Sequence, residues 1–251
     1  HDMGIKEQGN MALLGCAGPM GMGAIDYAVN GPRKPKMVVV VDIDEARLKR
    51  AQDLITPEHA EKMGVKLVYV NTKGMDAVTY LKGLTGGKGY DDVFVFAPVP
   101  ALVEQGDDIL ATDGCLNFFS GPTDSRFKVP YNFYNVHYEG THIVGTSGGS
   151  TGDMLESLEL SSKNKINPSF MVTHIGGINA VPDTILNLPN IPGGKKLIYP
   201  HIQMELTAIA DFEKLGENNE LFARLADICN RKNGIWCEEA EKYLLSYYNV
   251  I

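Results

Sequence analysis

At 251 residues, 44% of them hydrophobic and 22% charged, the chain is long enough to bury one large core, or one core and a smaller appendage. A formal net charge of -8 with no basic tract excludes electrostatic steering toward nucleic acid, and the longest aliphatic run, Val38 to Val41, is far too short to span a bilayer. Cys16, Cys115, Cys229 and Cys237 form no C-x-x-C pair and no signal peptide is read before the first strand, so four free thiols in a reducing, cytoplasmic setting are expected.

The chain opens on His1-Asp2-Met3 rather than on Met and is read as a fragment. Strands are predicted at Met11–Gly15, Met37–Asp42, Val65–Val70, Asp92–Ala97, Cys115–Ser120 and Thr141–Gly145, each rich in aliphatic or aromatic residues. Between and after them, apolar residues spaced three and four apart predict helices over Pro19–Val29, Asp44–Leu54, Met75–Leu84, Val99–Ala111 and Gly152–Lys163. The alternation predicts an α/β fold: a doubly wound, parallel, six-stranded Rossmann sheet covered on both faces. After Lys163 the rhythm changes. An apolar stretch, Phe170–His174, leads through the Gly- and Pro-rich 188–194 to a short strand, Lys196–Tyr199. From Met204 onward two or three helices follow, broken near 216–219 and at Asn233-Gly234.

The first strand ends in Gly15-Cys16-Ala17-Gly18-Pro19-Met20-Gly21 and runs straight into a helix. In that setting Gly18 would let the backbone approach a pyrophosphate, Gly21 would let the helix pack closely on the strand, and Pro19 suits a first helical turn. The spacing is G-x-x-G-x-x-G, with Cys16 where the first glycine of the usual pattern would fall. Asp42, twenty-one residues after Gly21, ends the second strand, where a carboxylate can accept from both ribose hydroxyls and would repel a 2′-phosphate. This favours NAD over NADP, although Arg47 and Lys49 on the next helix could soften the repulsion. Ala97-Pro98 and Ser120, at later strand ends, should line the same crevice, and Met20 and Ile43 complete the candidate cofactor set. A ligand-free tight turn and an N-capping aspartate are the plain alternatives for each feature alone. Their joint placement favours a dinucleotide.

The stretches Leu13–Gly21, Val40–Leu48 and Val172-Thr173-His174 resemble the coenzyme domain of the zinc-type medium-chain dehydrogenases over roughly residues 4 to 200. Val136–Gly140 is similar to the polyol branch. The insertion Thr56–Met63, the segment Gly193–Tyr199 and the helical C-terminal extension resemble the sorbose 1-phosphate reductases. The resemblance implies an NAD-binding domain over residues 1–165, a remnant of the substrate domain over 166–200, and a helical extension over 201–251. It also implies that a GroES-like domain, preceding His1, would carry the Cys, His and Glu ligands of a catalytic zinc. Apolar surface would then be exposed along Phe170–Tyr199, and a homodimer would form across the open edge at Thr141–Gly145.

Within the chain, His59, His137, His142, His174 and His201 show no zinc-ligand spacing, and His174 reads as structural. No Tyr-x-x-x-Lys pair and no G-x-S-x-G elbow is present, so no catalytic residue and no metal ligand is assigned. The expected function is the NAD-binding portion of a polyol or sugar-phosphate oxidoreductase with a small-molecule substrate, this chain alone being inactive. The alternatives are a non-catalytic NAD-binding module or sensor and, more weakly, a methyltransferase.

Overall fold

The computed structural model describes residues 5–145 and 147–250. His1 to Gly4, Thr146 and Ile251, and with them the opening His1-Asp2-Met3, lie outside the described residues. Two compact units divide at Ile166/Asn167.

In the first unit, β1 (Asn10–Leu14), α1 (Pro19–Asn30), β2 (Met37–Asp42), α2 (Glu45–Leu54), α3 (Pro57–Lys62), β3 (Lys66–Asn71), α4 (Ala77–Leu84), β4 (Tyr90–Val95), α5 (Pro100–Asp108), β5 (Leu110–Phe118), α6 (Phe133–Tyr138), β6 (His142–Gly145) and α7 (Thr151–Ser162) follow in order. The six strands form one sheet, ordered β3-β2-β1-β4-β5-β6, with every pairing parallel. This is the doubly wound order, whose switch point between β1 and β4 opens a crevice beyond the carboxyl ends. β2 is buried at all six positions, as a valine run covered on both faces should be. Its Val39 and Val41 join Ala12, Leu14, Val93, Val95 and Leu116 in one core. On the opposite face, Leu13, Val38 and Val40 are buried, as are Ile25 and Val29 of α1.

The predicted elements hold with shifted ends, and two differences have physical causes. The helix predicted over Val99–Ala111 stops at Asp108, and the chain turns at once into β5, which begins at Leu110 rather than Cys115. The strand is longer because Tyr90 pairs with Leu110 and Asp92 with Cys115, so a bulge absorbs the extra residues. The insertion Thr56–Met63 is the short helix α3, which Thr56 caps by accepting from the His59 N–H at 3.1 Å.

In the second unit β7 (Val172–Gly177), α8 (Val181–Asn187), β8 (Lys195–Tyr199), β9 (Thr207–Ala208), α9 (Phe212–Gly216), α10 (Glu220–Asn230) and α11 (Glu238–Tyr247) surround one core. β8 pairs parallel with β7, and β9 pairs antiparallel on its other side. Leu221, Leu225 and Ile228 give α10 a buried stripe at helical spacing. They meet Ile175, Tyr199 and Trp236 in the same cluster, so residues on both sides of position 200 share one interior. Ile185, Leu186 and Leu188 are exposed along the predicted apolar stretch. No helix of the described residues is long and apolar enough to cross a membrane.

Candidate nucleotide-binding site

The turn after β1 is tied to the end of β2. Gly15 and Cys16 N–H donate to the Val41 carbonyl at 2.8 and 3.2 Å, and Ala17 N–H donates to Asp42 Oδ2 at 3.0 Å. Gly15 has φ +64°, so the left-handed residue sits one position before the place the usual pattern predicts, and Cys16 needs no glycine there. The Cys16 thiol is fully buried, and burial, with Asp42 nearby, raises its pKa well above the usual value.

Gly18 and Gly21 differ in what a side chain would meet. A Cβ on Gly21 would stand 1.6 Å from the Cys16 carbonyl oxygen, so only glycine lets α1 lie this close to the turn. A Cβ on Gly18 would meet nothing within 4 Å, although its φ of -85° suits any residue. Close packing therefore explains Gly21 and leaves Gly18 unexplained within the protein. Pro19 is the first residue of α1; no side chain caps that helix and no acidic residue stands in its first turn. The helix start therefore has no side-chain anion of its own among the described residues.

Asp42 is buried, and its carboxylate already accepts three backbone N–H groups: Ala17 on Oδ2, and Ile43 and Asp44 on Oδ1 at 2.8 and 3.1 Å. A carboxylate offers about four acceptor positions. Ile43 is 65% exposed beside it, and Met20 is exposed too. Arg47 turns to Asp44, with Nε 3.4 Å from Oδ2, so its charge is shared there. Ala97 faces the turn, its Cβ 3.3 Å from where a Gly15 Cβ would be, whereas Pro98 is exposed. Ser120 lies beyond β5; its N–H donates to the Val95 carbonyl at 3.0 Å, and its buried hydroxyl has no partner among the described residues. Gly15, Gly18, Gly21, Asp42 and Ala97 thus converge at the carboxyl ends of β1, β2 and β4, while Ser120 lies two strands from β1 and Arg47 is turned to a neighbour.

The sequence reading missed the long connection after β5. There Phe127 stacks on Phe118 with ring centroids 5.5 Å apart, and Arg126 and Lys128 are exposed on either side of it. Two cations flanking one aromatic just past a strand's carboxyl end were the available signal.

Among the described residues no three His, Cys, Asp or Glu side chains are grouped to hold a metal ion. His174 is buried, with Nδ1 2.9 Å from Thr173 Oγ1, and burial followed by nearby Lys196 lowers its pKa. The donor set present does not fit a zinc ion.

A doubly wound sheet with a glycine turn and an acidic second strand defines the nucleotide-binding class of α/β domains. Residues 19–163 match the family described as zinc-binding dehydrogenase, and the chain belongs to that family. It is 62% identical over 251 residues to mannitol-1-phosphate 5-dehydrogenase of Aliivibrio fischeri, covering 100% of this chain and 59% of that protein. It is 42% identical over 247 residues to L-sorbose 1-phosphate reductase of Klebsiella pneumoniae, covering 98% and 57%. The chain therefore spans under three-fifths of the length of these relatives. A putative zinc-binding dehydrogenase from Sinorhizobium meliloti, solved bound to NADP, superposes with a TM-score of 0.60 at 19% identity, covering 78% of this chain and 54% of that one.

Proposed function

We propose that this chain is the nicotinamide-nucleotide-binding part of an oxidoreductase that moves hydride between NAD(H) and a polyol or sugar phosphate. The observation that supports the reading most is the contrast between Gly21, which packing explains, and Gly18, which has open space in front of it where a ligand could approach the backbone. The pyrophosphate would rest over Gly18 and the start of α1. The adenosine ribose would use what acceptor capacity the Asp42 carboxylate retains, and a 2′-phosphate at the same place would meet that charge. When bound, the nicotinamide supplies or accepts the hydride. The residues of this chain orient the nucleotide across β2, β1, β4 and β5.

The sugar-phosphate substrate class rests on the two relatives, both named for 1-phosphates. The metal of the family description would be held by the part of such proteins that this chain does not span, and no step is derived through it. A homodimer across β6 is part of the same reading, since β6 ends the sheet with Ile143 exposed, and Phe133, Tyr134 and Tyr138 of α6, the element before it in the chain, are exposed too. Calorimetry with NADH and NADPH tests the proposal: saturable NADH binding that is the tighter of the two is expected. No binding of either, or tighter NADPH binding, would overturn the reading or its coenzyme preference respectively.

A further inference from the structure

We infer that Arg126 and Lys128 bind the phosphate monoester of the substrate. The inference rests on the sugar-phosphate reading above and gives it an address.

The sheet order fixes which side of the crevice is concerned. With the pyrophosphate beyond β1 and the adenosine beyond β2, the reacting half of the nucleotide and the substrate facing it lie toward β4, β5 and β6. The connections leaving those strands, residues 96–99, 119–132 and 146–150, contain two cationic side chains, Arg126 and Lys128, and α5 and α7 beyond them contain no Lys or Arg. The other carboxyl-end cations, Arg47 and Lys73, follow β2 and β3 on the adenosine side, and Arg47 is paired with Asp44.

Phe127 places the pair. Its ring stacks on Phe118, the last residue of β5, with centroids 5.5 Å apart and planes 19° apart, and it packs against the sheet core. The loop is thereby held at the level where the strand ends. Phe127 is half-buried while its neighbours are exposed, so one pinned aromatic presents two cations.

Arg126 is also oriented. Asp124 accepts from its Nε and Nη2 at 3.0 Å each and from its backbone N–H at 2.9 Å, and Nη1 takes no part in that pair. An ion pair this exposed adds little stability, so it can yield to or share with a dianion. Guanidinium and ammonium groups are the usual phosphate partners, the first as a fork and the second as a point charge. At a net charge of -8 the chain otherwise disfavours an anionic substrate, and a local cationic site would offset that repulsion.

The test is binding, so it does not depend on turnover. The full chain, saturated with NADH, is titrated with sorbose 1-phosphate and with sorbose, as wild type and as Arg126→Gln, Lys128→Met, the double variant and the conservative Arg126→Lys. Thermal melts check folding, which two exposed positions should leave unchanged. Wild type should prefer the phosphorylated sugar at least tenfold; the double variant should lose that preference, Arg126→Lys should keep part of it, and NADH affinity should stay constant throughout. A wild-type preference that survives in the double variant overturns the inference and spares the sugar-phosphate reading. Absence of any preference in wild type overturns both.

Discussion

At the scale of single residues, the two glycines of the turn separate packing at Gly21 from the binding role proposed for Gly18. Gly18→Ala should leave stability unchanged or raise it by under about 1 kcal/mol, because the backbone there suits alanine and a methyl meets nothing, yet weaken NADH binding about tenfold or more. Gly21→Ala should do the opposite first, costing about 3 kcal/mol or more as α1 is pushed off the Cys16 carbonyl. Paired melts and NADH titrations decide; a Gly18→Ala protein that binds normally would remove the main support for a nucleotide at this turn. Asp42→Ala should weaken NADH binding by about 1–3 kcal/mol and also lower the melting temperature, since three backbone N–H groups lose their acceptor. The tie between the glycine turn and Asp42 was not legible in the sequence. The spacing shows a carboxylate at a strand end, but not that the preceding turn folds back onto it. The shift of the left-handed residue from position 16 to Gly15 was hidden for the same reason, because two adjacent small residues can each serve a tight turn until a partner strand chooses between them.

At the scale of elements, β4 holds the chain leading into β1. Asp92 Oδ2 accepts the Lys6 N–H at 2.7 Å, Asp91 accepts the Asn10 N–H at 2.7 Å, and Lys6 Nζ pairs with Asp91 at 2.6 Å. Burial pushes the Asp92 carboxyl up to about 6, against the opposing pull of the Lys6 N–H. A carboxyl raised in the folded state holds a proton that the unfolded chain has released, so this group's contribution to stability falls as pH rises from about 4 to about 6. The difference sets a ceiling of about 3 kcal/mol. Asp92→Asn, which keeps an acceptor for Lys6, should therefore raise the melting temperature at pH 7 and change it far less at pH 4.5; equal effects at both would refute the assignment. Strands and long helices were legible because burial on both faces writes continuous valine runs and burial on one face writes helical spacing, as in Met37–Asp42 and Glu45–Leu54. α6 was not read as a helix because it buries no residue and so carries no stripe, and the two-residue β9 was missed because it is defined by its pairing with His174 and Ile175 alone.

At the scale of the whole molecule, two interiors can be addressed separately. The sole tryptophan, Trp236, belongs to the second unit, where its Nε1 donates to the Tyr199 hydroxyl at 2.8 Å and that hydroxyl donates to Glu241 at 2.6 Å. Tyr199→Phe leaves both neighbours unsatisfied and should lower the denaturation midpoint seen by tryptophan fluorescence by the equivalent of about 1–3 kcal/mol, while NADH affinity is kept. Light scattering should give a dimer at micromolar concentration, and a charge at Ile143, as in Ile143→Asp, should dissociate it; a monomeric wild type would refute the edge interface. The lashing of the glycine turn to Asp42 also limits how this protein can change over evolutionary time. A lineage adapting to a 2′-phosphorylated coenzyme would ordinarily discard the acid at the end of the second strand, but here that step also unties the turn that, on the proposed function, would receive the pyrophosphate. The accessible route leaves Asp42 in place and recruits a cation at exposed Ile43, or frees Arg47 by losing Asp44. If the proposed function holds, coenzyme preference would change slowly in this chain, and directed evolution toward NADPH should return changes at 43, 44 and 47 before any at 42.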